Sequence, residues 1–117
     1  MDIEAKFEQY LSEIKIALSS INPALVIIFG SASTGNLQPD SDIDLLVILD
    51  SDELPSTYES KMANKLFVRK AIREITKKVP IDALVFTKAE YRIILEHKNS
   101  FFREIDLTGK ILYEKAS

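Results

Sequence analysis

From Ile3 onward, apolar residues recur every three or four positions at Phe7, Tyr10, Leu11, Ile14, Leu18 and Ile21, with Glu and Lys between them. On a helix that spacing draws one narrow stripe, so it predicts an amphipathic helix from Asp2 to about Ser20, packed on a core. "INP" ends it, because Pro23 disfavours helical backbone at the residue before it. "ALVIIFG" follows, a short unbroken apolar run rich in β-branched residues, which predicts a strand buried on both faces. "SASTGNLQPDS" is turn chemistry throughout, and "DIDLLVILD" is a second strand, polar at its start and apolar beyond.

After the loop "SDELPS", Ser56 and Glu59 have the spacing of a capping box and open a long helix from about Thr57 to Lys78. Its apolar positions make two stripes. Tyr58, Met62 and Leu66 share one face, and Val68, Ile72, Ile75 and Val79 share another, well rotated from it. A helix apolar over so wide an arc touches more than one thing, either more of its own core, the commoner use, or a partner. "VPIDALVFT" is a third strand, opened by Pro80, which is tolerated at a strand's first residue. Thr87 and Glu90 make a second capping-box spacing and start a helix through about Glu96. "NSFFREIDLTGKILYEKAS" reads as a short helix, a break at Gly109 and a final short strand "KILYE". The order predicts an α+β fold: a small mixed sheet of three core strands and a short C-terminal one, flanked by helices. With no repeat, linker or low-complexity tract, residues 1–117 read as one domain.

Composition narrows the function classes. The formal net charge of −3 gives no support for direct nucleic-acid binding, which normally shows as a basic surface. There is no cysteine, so disulfides and thiolate metal sites are excluded and a reducing compartment is suited. The longest apolar runs, "ALVIIF" and "LLVIL", are far too short to span a bilayer, and "MDIEAKFEQY" is acidic and amphipathic, unlike a signal peptide. A cytoplasmic protein is the expectation.

The candidate chemistry lies in acids at strand starts. Side chains alternate along a strand, so Asp42 and Asp44 point to the same face, and Asp82 opens the third strand in the same way. The long helix permits a crossover that would make strands two and three parallel, with their beginnings at one edge. The eleven-residue link from Gly30 could turn the chain back, which would bring Gly30 and Ser31 to that same edge. Three clustered carboxylates raise one another's pKa values unless a cation neutralises them. With no cysteine and only His97, oxygen ligands favour Mg²⁺ or Mn²⁺, ions commonly shared between carboxylates and substrate phosphates. A glycine turn and a serine beside such ions offer N–H and hydroxyl donors to phosphate.

"GSASTGNLQPDSDIDLLV", with Gly-Ser, ten residues and Asp-x-Asp, resembles the signature of the DNA polymerase beta-like nucleotidyltransferase superfamily, and most closely its minimal nucleotidyltransferases (MNT proteins). The resemblance extends to "FGS", Gly35, "PIDALVF" and the tail "SFFREIDLTGKILYE". It implies two Mg²⁺ ions held by Asp42, Asp44 and Asp82, with Gly30 and Ser31 positioning the phosphates of ATP. An acceptor hydroxyl then attacks the α-phosphorus and pyrophosphate leaves, and by analogy Asp82 helps deprotonate that hydroxyl. Metal pairs about 3.5–4 Å apart stabilise both the attacking and the leaving oxygen of such an in-line displacement. The resemblance also implies a partner, since MNT proteins typically pair with small helical HEPN RNases as antitoxin and toxin and transfer AMP to a tyrosine of the toxin. A hetero-oligomer follows, with the wide apolar arc of the long helix and "SFF" (Ser100–Phe102) as candidate docking surfaces, core packing being the commoner use of each. Many relatives carry arginine just after Gly-Ser where this chain has Ala32, Ser33 and Thr34.

Two other functions fit the same residues: an antitoxin acting by occlusion alone, and a small-molecule nucleotidyltransferase of the aminoglycoside type. His97, between Glu96 and Lys98, reads as exposed. Tyr10 and Tyr58 read as packing.

Overall fold

The computed structural model describes residues 3–30, 33 and 42–116. The elements run α1 (Ile3–Ser19), β1 (Leu25–Phe29), β2 (Ile43–Leu49), α2 (Tyr58–Ala71), α3 (Arg73–Thr76), β3 (Ile81–Thr87), α4 (Lys88–Glu96), α5 (Ser100–Thr108) and β4 (Lys110–Glu114). The strands form one mixed sheet in the order β3-β2-β1-β4. β1 is antiparallel to both β2 and β4, while β2 and β3 are parallel. The crossover through α2 and α3 is therefore the expected one, and the short link after β1 turns the chain back. The C-terminal strand completes the sheet as its β4 edge.

Both faces of the sheet are covered, which is why β1 and β2 read as unbroken apolar runs. Val26, Ile28, Ile43, Leu45, Val47 and Leu49 pack with Phe7, Ile14 and Leu18 of α1, Val68 of α2 and Ile75 of α3. Ile27, Leu46 and Ile48 point the other way, onto Tyr91 of α4 and Ile105 of α5. Fully buried side chains such as Ile14, Leu18, Leu45 and Leu46 each contribute roughly 1.5–3 kcal/mol by leaving water. α1 stops where expected, with Asn22 in left-handed backbone (φ 50°) ahead of the buried Pro23.

Two local expectations are corrected. The helix proposed from Thr57 to Lys78 is broken at Ile72, whose backbone (φ −104°, ψ 12°) leaves the helical region. Its capping box lies one residue later than Ser56 and Glu59. The Thr57 hydroxyl accepts from the Ser60 amide at 3.1 Å, and the Ser60 hydroxyl accepts from the Thr57 amide at 3.3 Å. The box at Thr87 and Glu90 forms as expected, at 3.0 and 3.1 Å. The two stripes of the long segment also part company. Val68, Ile72, Ile75 and Val79 are all buried, whereas Tyr58 is 72% exposed and Leu66 54% exposed. Packing therefore consumes one stripe and leaves much of the other in solvent.

Candidate active site

The topology brings three chain segments to one end of the sheet. β1 runs toward that end and finishes at Phe29, while β2 and β3 both begin there. In the registers, Phe29 lies opposite Asp44, and Asp44 lies opposite Asp82. Asp44 and Asp82 occupy the same side of the sheet as Leu46, Ile48, Leu84 and Phe86, just beyond the apolar stretch that α4 and α5 cover. Asp42, immediately before β2, is exposed, as is Asp82; Asp44 is half-buried.

Electrostatically this end is unbalanced. Burial first, then the charges of Asp82 and Asp42, push the Asp44 carboxyl above its ordinary value of 3.8. No side-chain hydrogen bond or ion pair to any of the three carboxylates is found among the described residues. The opposite end of β2 behaves in the reverse way. There Asp50 meets Lys88 at 2.8 Å and also Lys115, and hydrogen bonds from Lys115 and then Lys88 lower its carboxyl to about 2. Among the described residues, one end of the strand has its acid neutralised from within the chain, and the other does not.

Gly30 abuts this acidic end. Its φ of 74° lies in left-handed backbone, and a Cβ there would stand 3.3 Å from Asp44 Cγ and overlap Oδ2. Glycine is thus required twice, by conformation and by the approach of Asp44. The Ser33 amide and hydroxyl both donate to the Gly30 carbonyl, at 3.1 and 2.8 Å, closing the turn that follows. Phe101 of α5 packs edge-on against Phe29 with ring centres 6.0 Å apart, so "SFF" flanks the Gly30 turn, with Phe101 half in solvent. Ser31 and Gly35 lie outside the described residues, as do Ala32 and Thr34.

Whether these residues suit divalent cations is a question of donor chemistry. Three carboxylates with no internal cation are hard oxygen donors of net negative charge, which fits Mg²⁺ or Mn²⁺. Among the described residues, however, no three acidic or histidine side chains already close into a single ligating group. The acids are neighbours without being a preassembled cage.

A second feature was missed in the sequence. Arg69, Lys70 and Arg73 line a cleft of about 510 Å³ that reaches Asp82 along the outer edge of β3. Lys61 and Lys65 face a separate groove with Met62 and Phe86. The three cations lie within five residues of sequence, but nothing in the pattern placed that segment beside Asp82.

The family model for the nucleotidyltransferase domain matches residues 11–113, nearly the whole chain. The chain belongs to the nucleotidyltransferase domain family. Membership supports a nucleotidyl-transfer activity, and the mixed sheet flanked by helices is the nucleotidyltransferase fold. Among solved structures, the chain is similar to "a putative nucleotidyltransferase from Sulfolobus solfataricus", with a TM-score of 0.62 and 17% identity over 98% of this chain and 91% of that one. At that identity the likeness carries the fold alone. No curated protein matches the chain. No helix among the described residues of this nucleotidyltransferase-domain protein is long and apolar enough to cross a membrane.

Proposed function

We propose that this nucleotidyltransferase-domain protein transfers AMP from ATP to a hydroxyl, a tyrosine of a partner HEPN RNase, and thereby acts as that toxin's antitoxin in the cytoplasm. The observation that carries the transfer chemistry is the uncompensated acidic end of the sheet. Asp44 is raised by burial and by Asp82 and Asp42, beside a glycine turn that only Gly30 can make. A group of clustered acids is destabilising unless a cation completes it, so its use is to hold one.

Asp42, Asp44 and Asp82 are the residues that would hold Mg²⁺. When bound there, the metal supplies charge to offset the phosphates and the oxygens developing charge around the α-phosphorus. Gly30 lets the backbone come close to the nucleotide's phosphates and keeps the space that Asp44 needs. In the transfer, the acceptor oxygen bonds to the α-phosphorus as the bond to the β-phosphate's bridging oxygen breaks. Pyrophosphate leaves with that electron pair, and the hydroxyl proton passes to an Asp82 carboxylate oxygen. The tyrosine acceptor and the HEPN partner rest on the resemblance of "GSASTGNLQPDSDIDLLV" and the tail to MNT proteins.

The test is to incubate the chain with Mg²⁺, ATP and its HEPN partner and weigh the partner by mass spectrometry. A gain of one or more AMP units is expected, lost on Asp42→Asn with Asp44→Asn. An unmodified partner would count against the proposal. One observation favours a second reading, occlusion: the exposed Tyr58 and Leu66 face of α2 is available for binding without chemistry. If the double variant still protects cells fully from the toxin, occlusion is the better account. An adenylylated aminoglycoside, formed without any protein partner, would favour the small-molecule alternative.

A further inference from the structure

We infer that the cleft between α2, α3 and the outer edge of β3 receives an acidic polypeptide segment that carries the acceptor hydroxyl, its carboxylates gripped by Arg69, Lys70 and Arg73. The inference rests on the nucleotidyl-transfer reading and adds the chemistry of the acceptor to it. Its first support is position. Across the end of the sheet the order is Gly30, Asp44 and Asp82, and the cleft lies past Asp82 on the α2 and α3 side of β3, reaching Asp82 around the strand's free edge. An in-line displacement puts the attacking and leaving oxygens on opposite sides of phosphorus. With the phosphates on the Gly30 flank, the acceptor arrives from the Asp82 flank, where the cleft opens.

The second support is charge. The chain carries a net charge of −3, yet the junction of α2 and α3 gathers three cations in one cleft. Among the described residues none of the three is in an ion pair, although their neighbours are: Lys77 pairs with Glu74 at 3.1 Å and Lys78 with Glu13 at 2.6 Å. Glu74, next to Arg73 in sequence, is thus engaged elsewhere. Three like charges lining one cleft repel until an anion joins them, and Arg presents a fork that matches a carboxylate in two parallel hydrogen bonds.

The third support is the rest of the lining. Leu66, Ile81 and Ala83 give the cleft an apolar floor, and about 510 Å³ is a volume that several side chains fill. No aromatic ring lines it, so a nucleobase has nothing to stack on. A nucleic acid would also need a basic surface longer than one helical turn. A peptide with acidic and apolar side chains around its hydroxyl meets the cations and the apolar floor, with the hydroxyl, not a carboxylate, placed toward Asp82.

The probes are a fluorescein-labelled peptide with tyrosine flanked by glutamates, its lysine-flanked counterpart, and a single-stranded RNA oligomer. Binding is read by anisotropy at low and high salt, with Mg-ATP affinity measured on the same proteins. The acidic peptide should bind the wild-type chain, weaken with salt, and lose at least roughly tenfold in affinity on Arg69→Gln/Lys70→Gln/Arg73→Gln. Arg73→Glu alone should weaken it too, while Lys6→Gln/Lys15→Gln on α1 leaves it unchanged. Mg-ATP affinity should stay the same in all of them. Peptide binding that survives the triple variant, absence of peptide binding by the wild-type chain, or RNA binding lost through the same three residues would overturn the inference. So would a fall in Mg-ATP affinity on the triple variant, which would give the cleft to the nucleotide and leave the transferase reading standing. Failure of the wild-type chain to bind Mg-ATP would instead defeat the transferase reading.

Discussion

Replacing Gly30 with alanine tests the geometry of the acidic end most directly. Left-handed backbone costs a residue with a Cβ roughly 1–2 kcal/mol relative to glycine, and Gly30 sits at φ 74°. The added methyl also overlaps Asp44 Oδ2. That atom is the free end of a side chain, so Asp44 can swing aside for about 0.5–1.5 kcal/mol of rotamer strain. The sum is about 1.5–3.5 kcal/mol, within the 5–15 kcal/mol that holds an ordinary domain folded. At about 4 °C per kcal/mol for a chain of this size, the melting temperature should fall by about 6–14 °C. Thermal unfolding followed by circular dichroism measures that. A cycle with Asp44→Ala separates the parts, because the overlap vanishes with the carboxylate and the backbone strain stays. The two substitutions should therefore couple by about 1 kcal/mol. AMP transfer should fall much further than stability, since the displaced carboxylate is one proposed to hold the metal. A Gly30→Ala protein that melts with the wild type, or no coupling to Asp44, would refute this account of the turn.

Asp44→Asn should raise the melting temperature at neutral pH while abolishing transfer. The raised pKa means the folded state holds the proton more tightly than the unfolded chain. The wild type's deficit is therefore absent below the ordinary value of 3.8 and grows as pH climbs through the folded value. Melting curves against pH should converge in acid and part toward neutrality, and Mg²⁺ should stabilise the wild type but not the variant. Asp50 has the opposite sign: its contribution is present above 3.8 and is lost as pH falls through about 2. Asp50→Asn should flatten that acid limb, and a wild-type melting temperature indifferent to pH there would sink the assignment. Thr57→Ala should cost about 1 kcal/mol as the lost N-cap of α2, while Ser56→Ala stays within about 0.5 kcal/mol in denaturant melts. The reverse result would restore the earlier register.

The strands were legible because covered faces leave only apolar residues in β1 and β2, and because Asp42 and Asp44 interrupt that rule at one place. Their parallel neighbour was legible through the length of the crossover. What escaped the sequence depended on tertiary choice. No proline or glycine marks the break at Ile72. The break belongs to a buried residue whose amide reaches the Val68 carbonyl at 3.3 Å and whose side chain packs with Val68, Ile75 and Val79 in one core. The cap register was decided between two adjacent candidates, and the short Ser60 side chain reaches the Thr57 amide from within the first turn. The basic cleft was visible as residues but not as a site, because only the packing of α2 and α3 against β3 brings Arg69, Lys70 and Arg73 beside Asp82.

The acidity at the head of β2 is a property of topology more than of composition. The chain has 18 acids and 15 bases, nearly enough cations to pair every carboxylate. At the far end of the strand it does so, with Lys88 at the start of α4 and Lys115 just past β4 both turned onto Asp50. At the near end, antiparallel β1 and parallel β3 deliver a glycine turn and a second acid to Asp44, and the available cations stand back along the β3 edge. Moving one of those cations onto the acids would stabilise the free protein at the expense of a bound metal. Leu84→Lys, two residues beyond Asp82 on its side of β3, is such a move, and it should lower the Asp44 pKa. If Mg²⁺ binding by that variant were undiminished, the acids would not be the metal's seat.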